Sequence, residues 1–413
     1  MAKVLVYTSP ARGHLYPITP TLDELRARGH DVAVRTLASQ VEIMRARGFG
    51  AAPIAPAIEA MEHDDYLART PQGALRRGVA QFTRRAGLEV PDLEAAIAEE
   101  QPDLLLVDGQ AWGGLAGAEA WGGPWASWLP YPMPLPSRDA PPFGPGLPPP
   151  QGPAGRLRDR MLRPLLVGSM ERTMLPGLNS VRADLGLTAL AGVGELFTRP
   201  PALLYLTAEG FDYPRSDWPP NIHMIGPCTW DPPADPPEWL ETIDRPIVLV
   251  TTSSEFQDDG RLVATALEAL ADEPVHVVAT LPSADPASYP APANAHVLPF
   301  VPHAPLLVRA ACAITHGGMG ATQKALAAGV PVCVVPFGRD QLEVARRVAV
   351  AGAGTRVSAG RLSPKRLRAG VREAMAMRDG AARIADVFAA AGGAPAGADA
   401  LEGLLGTRAP ARV

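Results

Sequence analysis

A glycine-rich turn between two apolar runs limits the folds that are open to this sequence. An apolar run over residues 306–314 leads into three glycines in four positions, Gly317, Gly318 and Gly320. Good helix formers follow, and a second apolar run then covers residues 330–335. This order predicts a strand, a turn, a helix and a parallel strand. The chain is therefore expected to build an α/β unit around this turn.

A glycine turn directly before a helix is suited to binding an anion. Glycine lets the backbone come close to a ligand, and the first amide N–H groups of the helix are free and backed by its dipole. His316 opens the turn and can donate a hydrogen bond to the same ligand. We predict a phosphate site here. The alternative is a simple tight turn, with His316 as a loop histidine whose hydrogen bonds are satisfied within the protein.

The beginning of the sequence predicts a second unit of the same kind. A short apolar strand over residues 3–7 is followed by a turn with Gly13 and His14, a helix from about residue 16 to 28 and a strand over residues 31–35. This is a βαβ unit of a parallel sheet. The turn lacks the Gly-x-Gly-x-x-Gly pattern, so a nicotinamide cofactor is poorly supported. His14 lies where active-site groups of such sheets collect, although a loop histidine can also be purely structural.

Both turns resemble motifs of the family 1 glycosyltransferases. The second half carries, in the family's order, Phe300-Val301-Pro302-His303, His316-Gly317-Gly318, Gly329-Val330-Pro331 and Asp340-Gln341, and the first half carries Gly13-His14-Leu15-Tyr16-Pro17. The resemblance covers nearly the whole chain and extends to actinobacterial antibiotic glycosyltransferases. It implies the GT-B fold, which is an α/β architecture of two facing Rossmann-like, doubly wound parallel-sheet domains. The acceptor would bind in the first domain and a nucleoside diphosphate sugar in the second.

The resemblance also implies a catalytic pair and an inverting reaction. His14 would remove the proton from the acceptor as general base, and Asp108 would orient His14. Imidazole has a pKa of about 6.5 and is a base at neutral pH, and a carboxylate holds its tautomer. Asp108 suits this role because it follows the apolar strand over residues 104–107. The other candidate partner, Asp103, lies at the entrance of that strand.

The donor site implied by the resemblance contains twelve residues: Ser253, Ser254, Phe300, Val301, His303, His316, Gly317, Gly318, Gly320, Thr322, Asp340 and Gln341. Phe300 would stack on the base, and His303 stands where the family has glutamine. Asp340 and Gln341 would hold sugar hydroxyls. The helix amides, the helix dipole and His316 would stabilise the leaving diphosphate in place of a metal ion. For residues 251–254, a simple strand-end turn is the alternative.

One residue departs from the family pattern in an informative way. Many members have glutamate eight residues after the signature histidine, where it accepts hydrogen bonds from the ribose; this sequence has Lys324. A lysine cannot accept them. This favours a TDP donor, which lacks the 2′-hydroxyl. Together with the resemblance to actinobacterial antibiotic glycosyltransferases, it favours a deoxysugar transferase in natural-product biosynthesis. If Lys324 points to solvent, UDP-glucose is the alternative donor.

Residues 111–155 combine tryptophans with a dense series of prolines. Prolines stiffen a loop that cannot pair as a strand, and aromatic side chains provide apolar walls. We predict that the loop over residues 130–150 lines the acceptor pocket and that the acceptor is hydrophobic or aromatic. For Trp121 and Trp125 we predict core packing. The alternative for the loop is a disordered flap.

Composition excludes several other classes. A net charge of −5 gives no electrostatic sign of nucleic-acid binding. Helical segments are predicted around residues 70–86 and 92–99, and the arginine pairs at 76–77 and 84–85 are interpreted as a solvated helix face. Three cysteines lack metal-ligand spacing, which indicates buried thiols. The sequence shows no signal peptide and no apolar run of membrane length, so we expect a cytoplasmic protein. Residues 63–65 are interpreted as a solvated loop, and no metal or bound cofactor is expected.

A chain of 413 residues suits two domains. Prolines at 218–220 and 231–237 indicate a stiff linker, so we predict an acceptor domain over residues 1–230, a nucleotide-sugar domain over 231–380 and helices over 381–413 that cross back to the first domain. A monomer or a homodimer is expected. The alternatives are a UDP-glucose-dependent enzyme, a nucleotide-sugar epimerase, or a catalytically silent partner of another transferase. The acceptor, the sugar and the linkage atom stay open.

Overall fold

The computed structural model describes residues 1–406 and contains two parallel β-sheets. The first sheet has the order β3-β2-β1-β4-β5-β6-β7, and the second has the order β10-β9-β8-β11-β12-β13. All strand pairs within them are parallel. The strands are β1 (Lys3–Tyr7), β2 (Asp31–Thr36), β3 (Gly50–Pro53), β4 (Leu104–Asp108), β5 (Trp125–Leu129), β6 (Ala202–Tyr205), β7 (Ile222–Met224), β8 (Ile247–Thr251), β9 (His276–Thr280), β10 (Ala295–Leu298), β11 (Ala310–Thr315), β12 (Val332–Val334) and β13 (Gly354–Arg356).

Helices cover both faces of each sheet, which explains why the central strands are continuous apolar runs and not alternating ones. Every residue of β4, β5, β8 and β11 is buried. The helices are α1 (Arg12–Ala27), α2 (Ala38–Ala46), α3 (Pro56–Glu59), α4 (Pro71–Glu100), α5 (Trp112–Trp121), α6 (Gly152–Asp184), α7 (Glu195–Thr198), α8 (Arg261–Leu270), α9 (His303–Leu307), α10 (Met319–Ala327), α11 (Gln341–Val350), α12 (Pro364–Met375), α13 (Arg378–Ala390) and α14 (Gly393–Leu405). The predicted class, two α/β domains with parallel sheets, is confirmed.

Two helix predictions from sequence were wrong in their bounds. The first helix begins at Arg12 and not near residue 16, so His14 lies in a helical turn and not in a loop. Residues 70–86 and 92–99, predicted as separate helices, belong to one helix, α4, with Pro91 inside it. Proline removes one helical hydrogen bond, but packing of α4 against α5 and α6 keeps the helix continuous.

The two domains are joined by a packed apolar interface and by the last helix. Phe211 of the first domain meets Phe388 of α13 edge to face, with ring centroids 5.5 Å apart. Helix α13 packs on α10, whereas α14 packs on α1. Within residues 1–406 the return to the first domain is therefore made by α14. Of the predicted crossing segment 381–413, residues 407–413 lie outside the described part of the chain.

Two smaller predictions concern burial. Cys228, Cys312 and Cys333 are buried and carry free thiols, as expected. Trp125 is in the core of the first domain, and Trp121 packs against that core. Among the helices that the structure describes, none is long and apolar enough to cross a lipid bilayer.

Candidate active site

The carboxyl ends of both sheets face one cavity of about 1870 Å³. This is where open α/β sheets bind ligands. Of the residues predicted from sequence, those that line the cavity are His14, Ser253, Ser254, Phe300, His303, His316, Gly318, Gly320, Asp340 and Gln341. Asp108, Val301, Gly317 and Thr322 do not line it and lie behind its walls. The fold thus brings both predicted halves of the site to one cleft.

His14 and Asp108 form a hydrogen-bonded pair at the bottom of the first domain's half. Nδ1 of His14 lies 2.9 Å from Oδ1 and 3.0 Å from Oδ2 of Asp108. Asp108 is fully buried and also accepts hydrogen bonds from N and Oγ of Ser9 and from N of Gln110. These donors and His14 outweigh the effect of burial and lower the pKa of Asp108. Asp108 is therefore ionised, and Nε2 of His14 is left on the cavity side.

The position of His14 follows from adjacent strands. Strands β1 and β4 pair directly, so α1, which follows β1, starts beside the end of β4. Nε1 of Trp128 donates to the main-chain oxygen of His14 at 3.1 Å and fixes the helix start. Burial alone would lower the pKa of His14, but the charge of Asp108 and the hydrogen bond to it raise that pKa above its usual value. The imidazole is thus suited to hold a proton.

Arg85 is a site residue that sequence analysis missed. It was assigned to a solvated helix face, but only 1% of it is exposed. Its Nε donates to Glu89 at 2.7 Å, and its Nη2 donates to the main-chain oxygen of Gln110 at 2.6 Å. Since N of Gln110 donates to Asp108, Arg85 supports the turn behind the His14 pair. The i,i+4 spacing of Arg85 and Glu89 was the available signal.

The glycine turn requires glycine at two of its three positions. Gly317 has φ of +98°, and a Cβ there would lie 2.9 Å from Cβ of Gln341. A Cβ on Gly318 would lie 2.5 Å from Nε2 of His316, whereas one on Gly320 would meet open space. Helix α10 follows directly and points its first, unpaired amides towards the turn. The backbone therefore forms the concave, amide-lined surface that an anion needs.

His316 differs from His14 in its surroundings. Only 7% of it is exposed, and its Nδ1 has no hydrogen-bond partner among residues 1–406. Burial lowers its pKa to about 4, so the ring is neutral at pH 7. A backbone hydrogen bond with Thr251 raises the pKa but does not offset burial. A neutral imidazole carries one N–H, and the tautomer decides which of its two nitrogens holds it.

The two residues predicted to hold the sugar are not equally available. Oε1 of Gln341 accepts from N of Phe337 at 2.7 Å and from N of Gly338 at 3.0 Å, and its Nε2 donates to Gln257 at 2.7 Å. Gln341 therefore holds the turn together. Asp340 lines the cavity, and burial raises its pKa. The carboxylate of Asp340 is the hydrogen-bond acceptor that this turn presents to the cleft.

The far wall of the second domain contains Phe300, His303 and Lys324. Phe300 is 45% exposed and offers an aromatic face, while Val301 beneath it is buried in the core. Nε2 of His303 lies 3.2 Å from Oγ1 of Thr280, and burial together with Lys324 lowers the pKa of His303 to about 4. This wall therefore combines an exposed aromatic face with a histidine that is neutral at pH 7.

Lys324 does not point to solvent, contrary to the alternative considered from sequence. Its Nζ donates to the main-chain oxygen of Trp230 at 3.0 Å and to Oδ1 of Asp231. Both partners lie on the interdomain linker and line the cavity. The carboxylate that the wall presents near position 324 therefore comes from the linker.

Comparison with known proteins identifies the family. Residues 264–400 match the family described as erythromycin biosynthesis protein CIII-like, C-terminal domain. Over 98% of its length the chain is 35% identical to 4'-demethylrebeccamycin synthase of Lentzea aerocolonigenes, all of which is covered. The chain belongs to the actinobacterial natural-product glycosyltransferases. A second relative is the demethyllactenocin mycarosyltransferase of Streptomyces fradiae, at 26% identity over 98% of this chain and 87% of that protein.

Solved structures of such enzymes share the fold of this glycosyltransferase. The calicheamicin glycosyltransferase CalG4 superposes with a TM-score of 0.75 at 23% identity, covering 99% of this chain and all of that one. The glycosyltransferase VinC, solved in complex with DTDP, gives a TM-score of 0.71 at 24% identity, covering 98% of this chain and 100% of that one. The predicted GT-B fold is confirmed.

The first domain of this glycosyltransferase supplies a large apolar wall. Part of it comes from the proline-rich loop, through Pro130, Tyr131, Pro134, Phe143 and Pro145. The rest comes from α4, α5, α6 and the α7 region, through Leu75, Val79, Phe82, Trp112, Leu165, Leu166, Met170, Met174, Leu196 and Phe197. Sequence analysis assigned the loop to this wall but not α6, because the apolar residues of α6 do not follow a single helical stripe. This wall is the apolar side of the cleft.

A polar contact closes the glycosyltransferase's cleft on one side. Nε and Nη2 of Arg339 bind both oxygens of Asp65, each at 2.9 Å, and Nη1 lies 3.3 Å from Glu255. Next to it, Tyr66 meets Phe256 edge to face at 5.3 Å. Arg339 directly precedes Asp340. Residues 63–65, interpreted from sequence as solvated, thus contain an interdomain ion pair.

Proposed function

We propose that this glycosyltransferase transfers a sugar from a nucleoside diphosphate sugar to a hydrophobic natural product, with inversion and without a metal ion. His14 acts as general base, and Asp108 orients it. The observation that carries this proposal is the contact of Nδ1 of His14 with both oxygens of Asp108, which leaves Nε2 on the cavity side, across the cleft from the glycine turn.

In the proposed reaction, the acceptor O–H or N–H gives its proton to Nε2 of His14 while the acceptor atom bonds to the anomeric carbon. The bond from that carbon to the diphosphate oxygen breaks on the opposite face, and the diphosphate leaves with the electron pair. Charge develops on that oxygen, where the free amides of α10 and the N–H of His316 stabilise it. The walls that the two domains contribute to the cavity hold the acceptor and the nucleotide sugar next to each other.

We propose TDP as the nucleotide. Lys324 occupies the position where glutamate would accept ribose hydroxyls, and its ammonium group is held by Asp231. The deoxyribose of TDP lacks the 2′-hydroxyl and therefore needs one hydrogen-bond acceptor fewer from the protein. The similar VinC structure contains DTDP, which supports this choice. Asp231 is a carboxylate in the same wall, and it favours UDP-glucose as the second candidate if it accepts both ribose hydroxyls.

For the acceptor, we propose a large hydrophobic or aromatic molecule. The cavity has about 1870 Å³, and aromatic and aliphatic side chains form its first-domain wall. The relatives named for 4'-demethylrebeccamycin synthesis and demethyllactenocin mycarosylation support a natural product of antibiotic biosynthesis. The complete His14–Asp108 pair disfavours a catalytically silent partner, and the apolar wall disfavours an epimerase, which needs no acceptor pocket.

The test is a product assay with purified protein in EDTA and again in Mg²⁺. TDP-sugars and UDP-glucose are offered with a panel of polycyclic aromatic and macrolide acceptors, and products are detected by mass spectrometry. We expect a glycoside from a TDP-sugar, equal rates with and without metal, and an inverted anomeric configuration by NMR. His14→Ala is the negative control. Donor binding without transfer or hydrolysis would instead support the silent partner.

A further inference from the structure

The proline-rich loop over residues 130–150, which forms part of the proposed acceptor side of the cleft (the acceptor wall), is fixed to α11. This helix begins directly after residues 337–340, the turn whose Asp340 is proposed to hold the sugar (the sugar turn). Oε1 of Glu343 in α11 accepts from N of Gly144 at 2.8 Å and from N of Gly146 at 3.0 Å. Nε of Arg346 donates to the main-chain oxygen of Gly146 at 2.8 Å. Helix α11 directly follows Asp340. The loop and the sugar turn are therefore both attached to the first two turns of α11.

Glu343 is also the end of a buried chain of polar contacts between the domains. Its Oε2 lies 3.0 Å from Nη1 of Arg347, and Nε and Nη2 of Arg347 bind Oδ1 of Asp212 at 3.0 and 2.8 Å. Asp212 accepts from the hydroxyl of Tyr205, which in turn accepts from N of Met133. At most 2% of each of the three charged residues is exposed. Buried networks of this kind hold one geometry because an unpaired charge is costly.

This chain connects both ends of the proline-rich segment through the second domain, since Met133 lies at its start and the two glycines near its end. The contact at Gly146 leaves no space for a side chain. Gly146 has φ of +60°, and a Cβ there would lie 2.3 Å from the main-chain oxygen of Leu342. The neighbours Phe143 and Pro145 line the cavity. A displacement of α11 therefore moves the acceptor wall.

We propose that Glu343 is a positioning residue that couples the acceptor wall to the sugar turn, so that ordering of either one orders the other. Glu343 does not line the cavity and acts through the amides of Gly144 and Gly146 on one side and through the start of α11 on the other. The assignment of Asp340 to the sugar rests on the proposed function. The mechanical link between loop and helix does not.

The first experiment needs no ligand and measures hydrogen–deuterium exchange by mass spectrometry. Gly146→Ala places a methyl group against Leu342, whereas Gly152→Ala is the matched control: Gly152 also has positive φ, +63°, but a Cβ there meets open space. We expect Gly146→Ala to speed exchange in peptides covering residues 338–345 by roughly tenfold, because local opening becomes easier. Gly152→Ala should leave these peptides unchanged. Equal exchange in both variants would overturn the proposal.

The second experiment adds TDP-glucose to the wild type and to Glu343→Gln, with binding checked by calorimetry. In the wild type, the donor should slow exchange of residues 140–150 about fivefold. In Glu343→Gln the donor should still bind, within about twofold of the wild-type affinity, yet it should leave the exchange rate of residues 140–150 unchanged. If Glu343 had only a structural role, residues 140–150 would exchange faster in the variant than in the wild type, but TDP-glucose would slow this exchange by the same factor in both proteins. That result would contradict coupling.

The two experiments separate the possible failures. If TDP-glucose binds the wild type and the loop does not respond, coupling is wrong. If TDP-glucose does not bind the wild type at all, the proposed donor is wrong, and the ligand-free comparison of Gly146→Ala with Gly152→Ala alone decides whether the link exists. Melting temperatures of all variants identify any loss of folding.

Discussion

His14 and His316 occupy similar places in the two domains and have opposite electrostatic surroundings. Each follows a central strand of its sheet, lies within three residues of the first residue of a helix and lines the same cavity. Nδ1 of His14 contacts both oxygens of a buried aspartate, whereas Nδ1 of His316 has no partner within residues 1–406. The pKa of His14 is raised, and burial lowers the pKa of His316 to about 4.

The difference teaches that position in the fold brings a histidine to the cleft and that one neighbouring carboxylate decides what the histidine can do. With Asp108 beside it, the ring can take a proton and hold it as a cation. Without a carboxylate, the buried ring stays neutral, with a single N–H to donate and one nitrogen that accepts. The predictions on the two histidines each remove or reverse one part of this contrast.

Loss of the carboxylate at His14 should have the largest effect. We expect Asp108→Asn to lower kcat/KM by at least about a thousandfold, because the ring loses its orientation and the charge that stabilises its protonated form. The double variant with His14→Ala should be no worse than His14→Ala alone, since the two act as one unit. Steady-state kinetics on the best donor and acceptor pair measure this. Asp103→Asn, at the entrance of the same strand, is the matched control and should retain near wild-type turnover.

Removal of the imidazole N–H of His316 should have the next largest effect on activity. His316→Ala should reduce kcat roughly a hundredfold, since one N–H to the developing diphosphate charge is lost. Gly318→Ala should show a similar loss, because its methyl group would displace the ring from 2.5 Å away. Gly320→Ala, where a Cβ meets open space, is the control. Full activity of His316→Ala would remove His316 from the proposed mechanism.

The two histidines should also respond to pH in opposite directions. The unfolded chain protonates His316 below pH about 6.5, while the folded protein does so only near pH 4, so its contribution to stability is lost as pH falls through this window. The loss between pH 7 and 5 should be roughly 2 kcal/mol. The contribution of His14 is complete below about pH 6.5 and is lost as pH rises through its raised pKa.

Urea unfolding of the wild type, His316→Gln and His14→Gln at pH 5, 7 and 9 measures these contributions. His316→Gln should lose less stability than the wild type between pH 7 and 5. His14→Gln should lose less than the wild type between pH 7 and 9. Parallel pH profiles for all three proteins would contradict the assigned difference between the two sites.

The smallest expected effect concerns the nucleotide. TDP should bind the wild type more tightly than UDP, and Lys324→Glu should reduce that preference by several-fold, which corresponds to about 1 kcal/mol. Thermal shifts with each diphosphate measure the preference, because a ligand of the folded state raises the melting temperature. Asp231→Asn separates the two candidates: a loss of UDP binding alone would show that the linker carboxylate holds the 2′-hydroxyl. Equal wild-type shifts for TDP and UDP would count against TDP as the preferred nucleotide.

Local sequence patterns determined the strands, the glycine turn and the residues at strand ends, because apolar periodicity and turn chemistry depend on neighbours in the chain. His14 and Asp108 could be paired in advance, since the ends of parallel strands collect at one edge of a sheet. Gly317 and Gly318 could be found because a cluster of glycines directly before a helix is visible in the sequence itself. The start of α1 and the continuity of α4 were missed, because tertiary packing overrides local signals at helix ends and at proline.

Only the tertiary structure decided which groups oppose each other. Arg85 supports Asp108 from a helix expected to face solvent, Lys324 is held by the linker, and Glu343 holds a loop almost two hundred residues away. These contacts join segments with no shared pattern, and a charged residue looks the same in sequence whether it faces water or a buried partner. The sequence by itself therefore determined the architecture and the chemistry at the strand ends. Long-range packing decided how the two halves are held together and which charges are buried between them.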